Sequence, residues 1–424
     1  MQRVPTAAVV IGSPPRTPLR PRRRVAQVLG MIGPAFVTAI AYVDPGNVAT
    51  NVAAGADFGY LLVWVVVAAN LVAMLIQYLS AKLGIVTGKS LARVCRERYS
   101  RPVSVGLWIQ AECVAVATDL AEVLGGAIGL NLLFGVPLLP AGVITAILSF
   151  IILAASSRQR QQPFERLIML FLALILIGFL WSAIAAHPAA TEIGRGLVPR
   201  FAGSQSVLLA TGIVGATVMP HAIYLHSALA ADRFDDDRTS APARDEVLWV
   251  TRVDIVGAMT IAGLVNLMLL VAAAAALRGF VVETIDDAFQ ALRTSLGPAA
   301  AIMFAAGLLA SGLASSSVGT YAGSVILDGF MERRLPRLAR RLATMVPALL
   351  ILALGVPPGQ ALVASQAALC VGLPFAIWPL VLVTSDAKAM GVHVNRGITA
   401  WAATTAAVLV TVLDLVLIYL MFAT

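Results

Sequence analysis

Two short stretches hold the side chains best suited to chemistry. Asp44–Pro45–Gly46–Asn47 interrupts one apolar run, and Met219–Pro220–His221 interrupts another. Asp44 supplies a hard anionic oxygen, Asn47 a neutral carbonyl oxygen and Met219 a thioether sulfur. Calcium and magnesium want oxygen alone, and sodium has no use for sulfur. A mixed oxygen-and-sulfur set suits a borderline divalent transition metal. Each residue also has a plainer reading. Asp44 could pair with another side chain, Asn47 could cap a helix or bridge two helices, and Met219 could simply pack. Depth in a membrane favours the first reading for Asp44, because ionisable residues there mark functional sites.

The surrounding composition supplies that depth. Of 424 residues, 59% are hydrophobic and 12% charged, with a mean hydropathy of +0.89. Soluble domains carry about 25% charged residues, so most of this chain belongs in lipid. The segments are continuously apolar rather than alternating, which selects helices over barrel strands. At about 20 residues per crossing, eleven spans are expected, near 28–50, 58–86, 103–131, 136–156, 164–186, 205–231, 247–277, 298–329, 342–357, 360–386 and 397–422. Residues 1–27 read as a disordered basic cytoplasmic tail, without a signal-peptide pattern, and 28–424 as a single transmembrane domain.

Proline cannot donate to the helix ladder, and glycine permits unusual dihedrals. Non-helical backbone at membrane depth survives only inside protein or along a water-filled cavity. The breaks fall in the first and sixth spans. Five-helix units repeating over about 28–186 and 205–386, with 397–422 as an extra helix, would place them so. Breakers in corresponding helices of two halves point to a transporter's central site. The halves share no convincing sequence identity, so the repeat rests on hydropathy and breaker position.

With the N-terminus inside, 26 of the 30 Lys and Arg residues fall in cytoplasmic segments. This follows the positive-inside rule and puts the C-terminus outside. The pI of 9.9 is therefore a topology signal, and nucleic acid is not an expected partner. Cys95, Cys113 and Cys370 lack the spacing of a zinc site or disulfide framework.

The stretches GPAFVTAIAYVDPGNVATN and GATVMPHAIYLHSAL resemble the first- and sixth-helix signatures of the Nramp family (natural-resistance-associated macrophage proteins). The likeness extends to QAECVAVATDLAEVLG in the third span, RRLATMVPA entering the ninth and SQAALCVGLPFAIWPLVLVTSD in the tenth. The resemblance implies an all-α LeuT-type fold of two inverted five-helix repeats plus an eleventh helix. It also implies proton-dependent import of manganese(II). Iron(II), cobalt(II) and cadmium(II), which the donor set does not rank against manganese, are further candidates, and the expected location is the cell's inner (plasma) membrane. Motif matching puts the family's metal ligands on Asp44, Asn47 and the Met219 sulfur. The backbone carbonyls of Ala41 and Ala216 and the side chain of Gln366 join them in some states. Ala222 stands where many members have asparagine, at a position that is not a ligand.

Proton coupling needs titratable groups in a path. Metal binding favours ionised Asp44, which makes affinity depend on pH. His221 stands at the same break, and histidine titrates near physiological pH. Asp119 and Glu122, three apart, share one face of the third span. Arg340 and Arg341, at the cytoplasmic mouth of the ninth, could hold carboxylates ionised. In the family, residues matching these positions form a proton route. The alternatives are a satisfied helix-end histidine at His221, a structural network of Asp119, Glu122 and Arg340, and a topology anchor at Arg341. His226 reads as gating or packing.

Other patterns carry less. Gly84–Ser90 imitates a phosphate-binding loop but has three residues where four are needed, so no nucleotide is expected. The serine run in the eighth span lacks a nucleophile frame and suits close helix packing. No HExxH motif occurs, and the acidic run Ala231–Arg238 reads as a solvated loop. The expectation is a secondary transporter, not an enzyme, with no cofactor. A sodium-coupled amino-acid symporter of the same fold and a non-transporting metal receptor are the rivals.

Overall fold

The computed structural model describes residues 33–154, 161–234, 244–280, 282, 284–332 and 336–423. The tail 1–27, Arg158, Arg160, residues 235–238 of the acidic run and Arg333 lie outside the described residues. All described regular structure is helical.

The first broken span comprises α1 (Pro34–Ala39), a 3-10 turn Ile40–Val43, and α2 (Pro45–Phe58). A second 3-10 turn leads directly into α3 (Val63–Thr87). The first span therefore runs eight residues past its expected end at residue 50. Then follow α4 (Leu91–Arg98), α5 (Arg101–Phe134), α6 (Leu138–Ala154), α7 (Gln161–Ala185) and α8 (Ala190–Gly196). The second broken span is α9 (Ser204–Thr217) and α10 (Pro220–Phe234). The remainder comprises α11 (Arg244–Ala276), α12 (Ile285–Leu296), α13 (Pro298–Met331), α14 (Arg337–Ala353), α15 (Pro358–Gly372), α16 (Pro374–Thr384), α17 (Ala387–Met390) and α18 (Gly397–Ala423). The tenth span is thus interrupted too, where Pro374 opens a new helix after Leu373.

Among the described residues, eight helical stretches are long and apolar enough to cross a membrane. Residues Pro45–Thr87 count there as one stretch, and Pro34–Val43 and Leu138–Ala154 are shorter apolar helices. Helices α4, α8 and α12 had no counterpart among the expected spans, being short or amphipathic. Thr284 and Asp287 close a reciprocal capping box at the start of α12.

Helix α2 packs on α11, and α10 packs on α3. Each broken helix thus leans on a helix of the other half, as two inverted units require. The centre is the long pair α5 and α13, brought together by small residues. A Cβ on Gly312 would lie 2.5 Å from the Gly126 nitrogen, and one on Gly129 would lie 2.8 Å from Leu309. Such close approach is how membrane helices gain contact where lipid offers no hydrophobic drive. The serines of α13 also form bonds: Ser311 donates to the Val43 carbonyl and Ser317 to the Ser149 carbonyl.

Candidate metal centre

Asp44 sits in extended conformation between the 3-10 turn and α2, where it is the N-cap. Its Oδ2 accepts from the Gly46 amide at 3.2 Å and its Oδ1 from the Asn47 amide at 2.9 Å. Capping follows from the sequence: Asp is a preferred N-cap, and Pro45 at the first helical position has no N–H to leave unsatisfied. The helix N-terminus also favours a negative charge. Asp44 and Asn47 are both fully buried.

Proline explains which carbonyls the breaks free. A residue's N–H normally donates to the carbonyl four positions earlier, and proline has none. Pro220 therefore leaves the Ala216 carbonyl unclaimed, and Pro45 does the same for Ala41. The Ala216 oxygen accepts instead from Asn47 Nδ2 at 2.7 Å, while the same amide group donates to Asp44 Oδ1 at 2.7 Å. Two acceptors facing one amide require its NH2 end. The Thr217 hydroxyl approaches Asn47 Oδ1 at 3.4 Å. The carbonyls beside Ala41 are taken from other helices. Asn266 of α11 donates to that of Tyr42 at 2.8 Å, and Ser311 of α13 to that of Val43.

Met219 lies fully buried between α9 and α10, one residue after the non-helical Val218. Gln366 of α15 lays its amide over Gly46: a Cβ there would fall 1.8 Å from Nε2. Gln366 is buried and its Oε1 meets no protein donor. Of the six expected metal-site residues, the structure directly joins Asp44, Asn47 and Ala216, and brings Gln366 onto their helix. The carbonyls of Ala41 and Ala216 rested on resemblance alone, although the proline-minus-four rule would have found both. No cluster of three His, Cys, Asp or Glu side chains occurs among the described residues, so a site here must draw on amide, backbone and sulfur donors.

The groups expected to carry protons follow one face of α5. His221 Nδ1 meets the Thr118 hydroxyl at 3.3 Å, and its Nε2 has no protein partner. Glu122, one turn on, is fully buried against Gly319 of α13, with the Ser315 hydroxyl beside its carboxylate. One turn further, Gly125 touches the Pro45 ring: a Cβ there would come within 2.1 Å of it. A single helix face therefore runs from the His221 break to the Asp44 break.

The two arginines differ in a way their adjacency concealed. Both are buried rather than at an open mouth, and Arg341 pairs with Asp119. It also donates to Thr320 at 3.2 Å and to Ser149 and Ser316. Arg340 instead grips Glu112 with two bonds of 3.2 and 2.7 Å. Arg340, which the alternative reading grouped with Asp119 and Glu122 in a structural network, is thus paired with Glu112. Successive helical residues point about 100° apart, so the neighbours reach different levels of α5. Glu112, seven residues before Asp119 on nearly the same face, had not been singled out. A second unanticipated chain joins His226 to Gln77, and Gln77 to Tyr42.

Comparison with known proteins agrees with this architecture. Residues 35–420 match the family described as natural resistance-associated macrophage protein-like. The divalent metal cation transporter MntH of Mycobacterium leprae (strain TN) is 51% identical over 391 residues, covering 92% of each chain. MntH of Bacillus subtilis (strain 168) is 49% identical over 371 residues, covering 87% of each. A crystal structure of the Eremococcus coleocola manganese transporter, in complex with an aromatic bis-isothiourea compound, superposes with a TM-score of 0.81. It is 32% identical and covers 96% of this chain and 89% of that one. The nucleobase-cation-symport transporter Mhp1, at 17% identity and a TM-score of 0.58, shares the fold. Matched from its first described helix to its last, and about half identical to curated members along most of its length, the chain belongs to the Nramp family.

Proposed function

We propose that this chain is a proton-coupled importer of divalent transition metals, with manganese(II) foremost and iron(II), cobalt(II) and cadmium(II) of the same borderline class. It works by alternating access in the plasma membrane, N-terminus inside. The observation that carries this reading is the Asn47 amide, which ties Asp44 to the Ala216 carbonyl freed by Pro220. Both tied oxygens are electron-rich acceptors held at one point, as a dication requires. A metal ion would take the place of the NH2 group, and Asn47 would turn its Oδ1 inward. The Met219 thioether supplies the soft donor that biases the set against calcium and magnesium. Gln366 approaches from α15 to close it.

Metal binding needs ionised Asp44, so loading drives a proton off. His221 and Glu122, on the α5 face that runs between the two breaks, are the groups that take it, and the Asp119–Arg341 pair continues the route. The relatives named for divalent metal and manganese transport support the same cargo here. A sodium-coupled amino-acid symporter would leave Met219 without a role.

The test is manganese uptake into proteoliposomes, with calcium, magnesium and sodium-plus-amino-acid competitors and lumenal pH recorded together. Manganese entry accompanied by acidification is the expected result. Amino-acid entry driven by sodium, or no manganese binding by the purified protein, would overturn it.

A further inference from the structure

Away from the metal breaks, a cavity of about 470 Å³ opens between α3, the start of α11 and the turn before α18. Its lining includes Lys82, Arg252 and Arg396, against a single carboxylate, Asp245. Asp245 is mostly exposed, and its one ion pair among the described residues is with His393, at 3.7 Å. Lys82 is 7% exposed, and its ammonium donates to the neutral Asn395 side chain at 2.8 Å. Arg252 lies over the Tyr78 ring at 4.7 Å and donates to its hydroxyl. No carboxylate among the described residues pairs with Lys82, Arg252 or Arg396. A buried ammonium without an anion is costly, so the pocket is built for a negative charge.

Its surroundings say what kind. Trp249 lines the pocket and is 59% exposed; Val253 and Val256 continue from it along the outer face of α11. On α18, whose Thr399 lines the pocket, Ile398, Trp401, Val408 and Val412 are exposed on another face of the helix. Tryptophans mark the water–lipid boundary, and the pocket lies on the Lys- and Arg-rich side. Basic pockets between membrane helices at that level suit anionic lipid headgroups. Free phosphate would make no use of the apolar track along α11.

We propose that this pocket binds an anionic phospholipid of the cytoplasmic leaflet. Its phosphate sits among Lys82, Arg252 and Arg396, and its acyl chains lie along the exposed face of α11 that continues from Trp249. The neutral Asn395 holds Lys82 in position. Asn395 is itself anchored to Thr384 through two bonds of 2.9 Å. The site stands or falls separately from the metal reading.

The experiment uses the delipidated full-length protein in detergent. Retention of phosphatidylglycerol is measured by native mass spectrometry against phosphatidylcholine of the same acyl chains, with inorganic phosphate as competitor. Wild-type protein should retain phosphatidylglycerol preferentially, and Arg252→Gln and Arg396→Gln should each weaken it about fivefold. Equal retention of the two lipids by wild type would overturn the proposal without any variant. So would phosphatidylglycerol binding unchanged in folded Arg396→Gln, an exposed position with no salt bridge. Displacement by millimolar inorganic phosphate would reassign the pocket to a free anion and overturn the lipid.

Discussion

Asn47 Nδ2 donates to the Ala216 carbonyl at 2.7 Å, and that bond joins the two interrupted helices at their breaks. The partners are 169 residues apart in sequence. One comes from a helix N-terminus capped by Asp44, the other from a carbonyl that Pro220 cannot serve. Removing the side chain by Asn47→Ala should act twice. The buried Ala216 oxygen loses its donor, which costs about 1–3 kcal/mol of stability. Manganese affinity should fall by about 10–100-fold or more, the range seen even for groups that only support a ligand. Isothermal titration beside thermal melting separates the two effects, and unchanged affinity would remove Asn47 from the ligand set.

Met219 tests the sulfur. Truncation to alanine opens a cavity, at about 2–5 kcal/mol for a buried methionine. Met219→Leu is the cleaner probe, since volume-conserving swaps usually cost under about 1.5 kcal/mol. Both variants should keep part of their manganese uptake and lose discrimination against calcium and magnesium. Selectivity equal to wild type in Met219→Leu proteoliposomes would show that packing is the side chain's whole task.

The Asp119–Arg341 pair invites a double-mutant cycle. Arg341→Ala leaves a carboxylate uncompensated in the α5–α13 interface and should cost about 3–5 kcal/mol. Asp119→Leu combined with Arg341→Met should recover most of that, because apolar replacement of a buried pair is often neutral or stabilising. Proton flux should not recover in the double variant. A double variant with wild-type melting and wild-type proton flux would make the pair purely structural.

Legibility in the sequence followed from how conspicuous each residue is in lipid. Asp44, Asn47 and Met219 stood out because charge, amide and proline are costly or disruptive among apolar residues. The structure ties the first two together directly. Ala41 and Ala216 are invisible as side chains and legible only through the prolines four positions later. The partners of Arg340 and Arg341 could not be read, since adjacency hides the 100° between them. Only the packed position of α14 decides that one meets Glu112 and the other Asp119. The tenth-span interruption was present in Gly372–Leu373–Pro374 but lay inside a run long enough to pass as one crossing. The amphipathic α12 and short α4 escaped a ruler that measures only apolar length.

His221 has a distinct test because its Nδ1 is held by Thr118 while Nε2 has no protein partner. A histidine serving only as packing would be replaceable by glutamine without consequence for pH. As a proton acceptor, its loss should flatten the pH dependence of manganese uptake or reduce the accompanying proton flux. Uptake followed between about pH 5 and 8, where histidine ordinarily titrates, provides the measurement. Coincident profiles and fluxes for wild type and His221→Gln would exclude it from the route.

Gly46 and Gly125 both contact the first break, but their neighbours differ in rigidity. A Cβ on Gly125 would strike the Pro45 ring at 2.1 Å, and neither helix can yield cheaply. Gly125→Ala should therefore cost about 1–3 kcal/mol, the usual range for overpacking. At Gly46 the obstacle is the end of the flexible Gln366 side chain, which can swing aside. Alanine also gains about 1 kcal/mol of helix propensity over glycine, so Gly46→Ala should melt near wild type. Its defect should lie in function, with Gln366 pushed off the site and metal held less tightly. If displacement of Gln366 is the whole effect, Gly46→Ala in a Gln366→Ala background should weaken manganese binding no further. Additive losses in that pair would mean that Gly46 shapes the site through its own backbone, independently of Gln366.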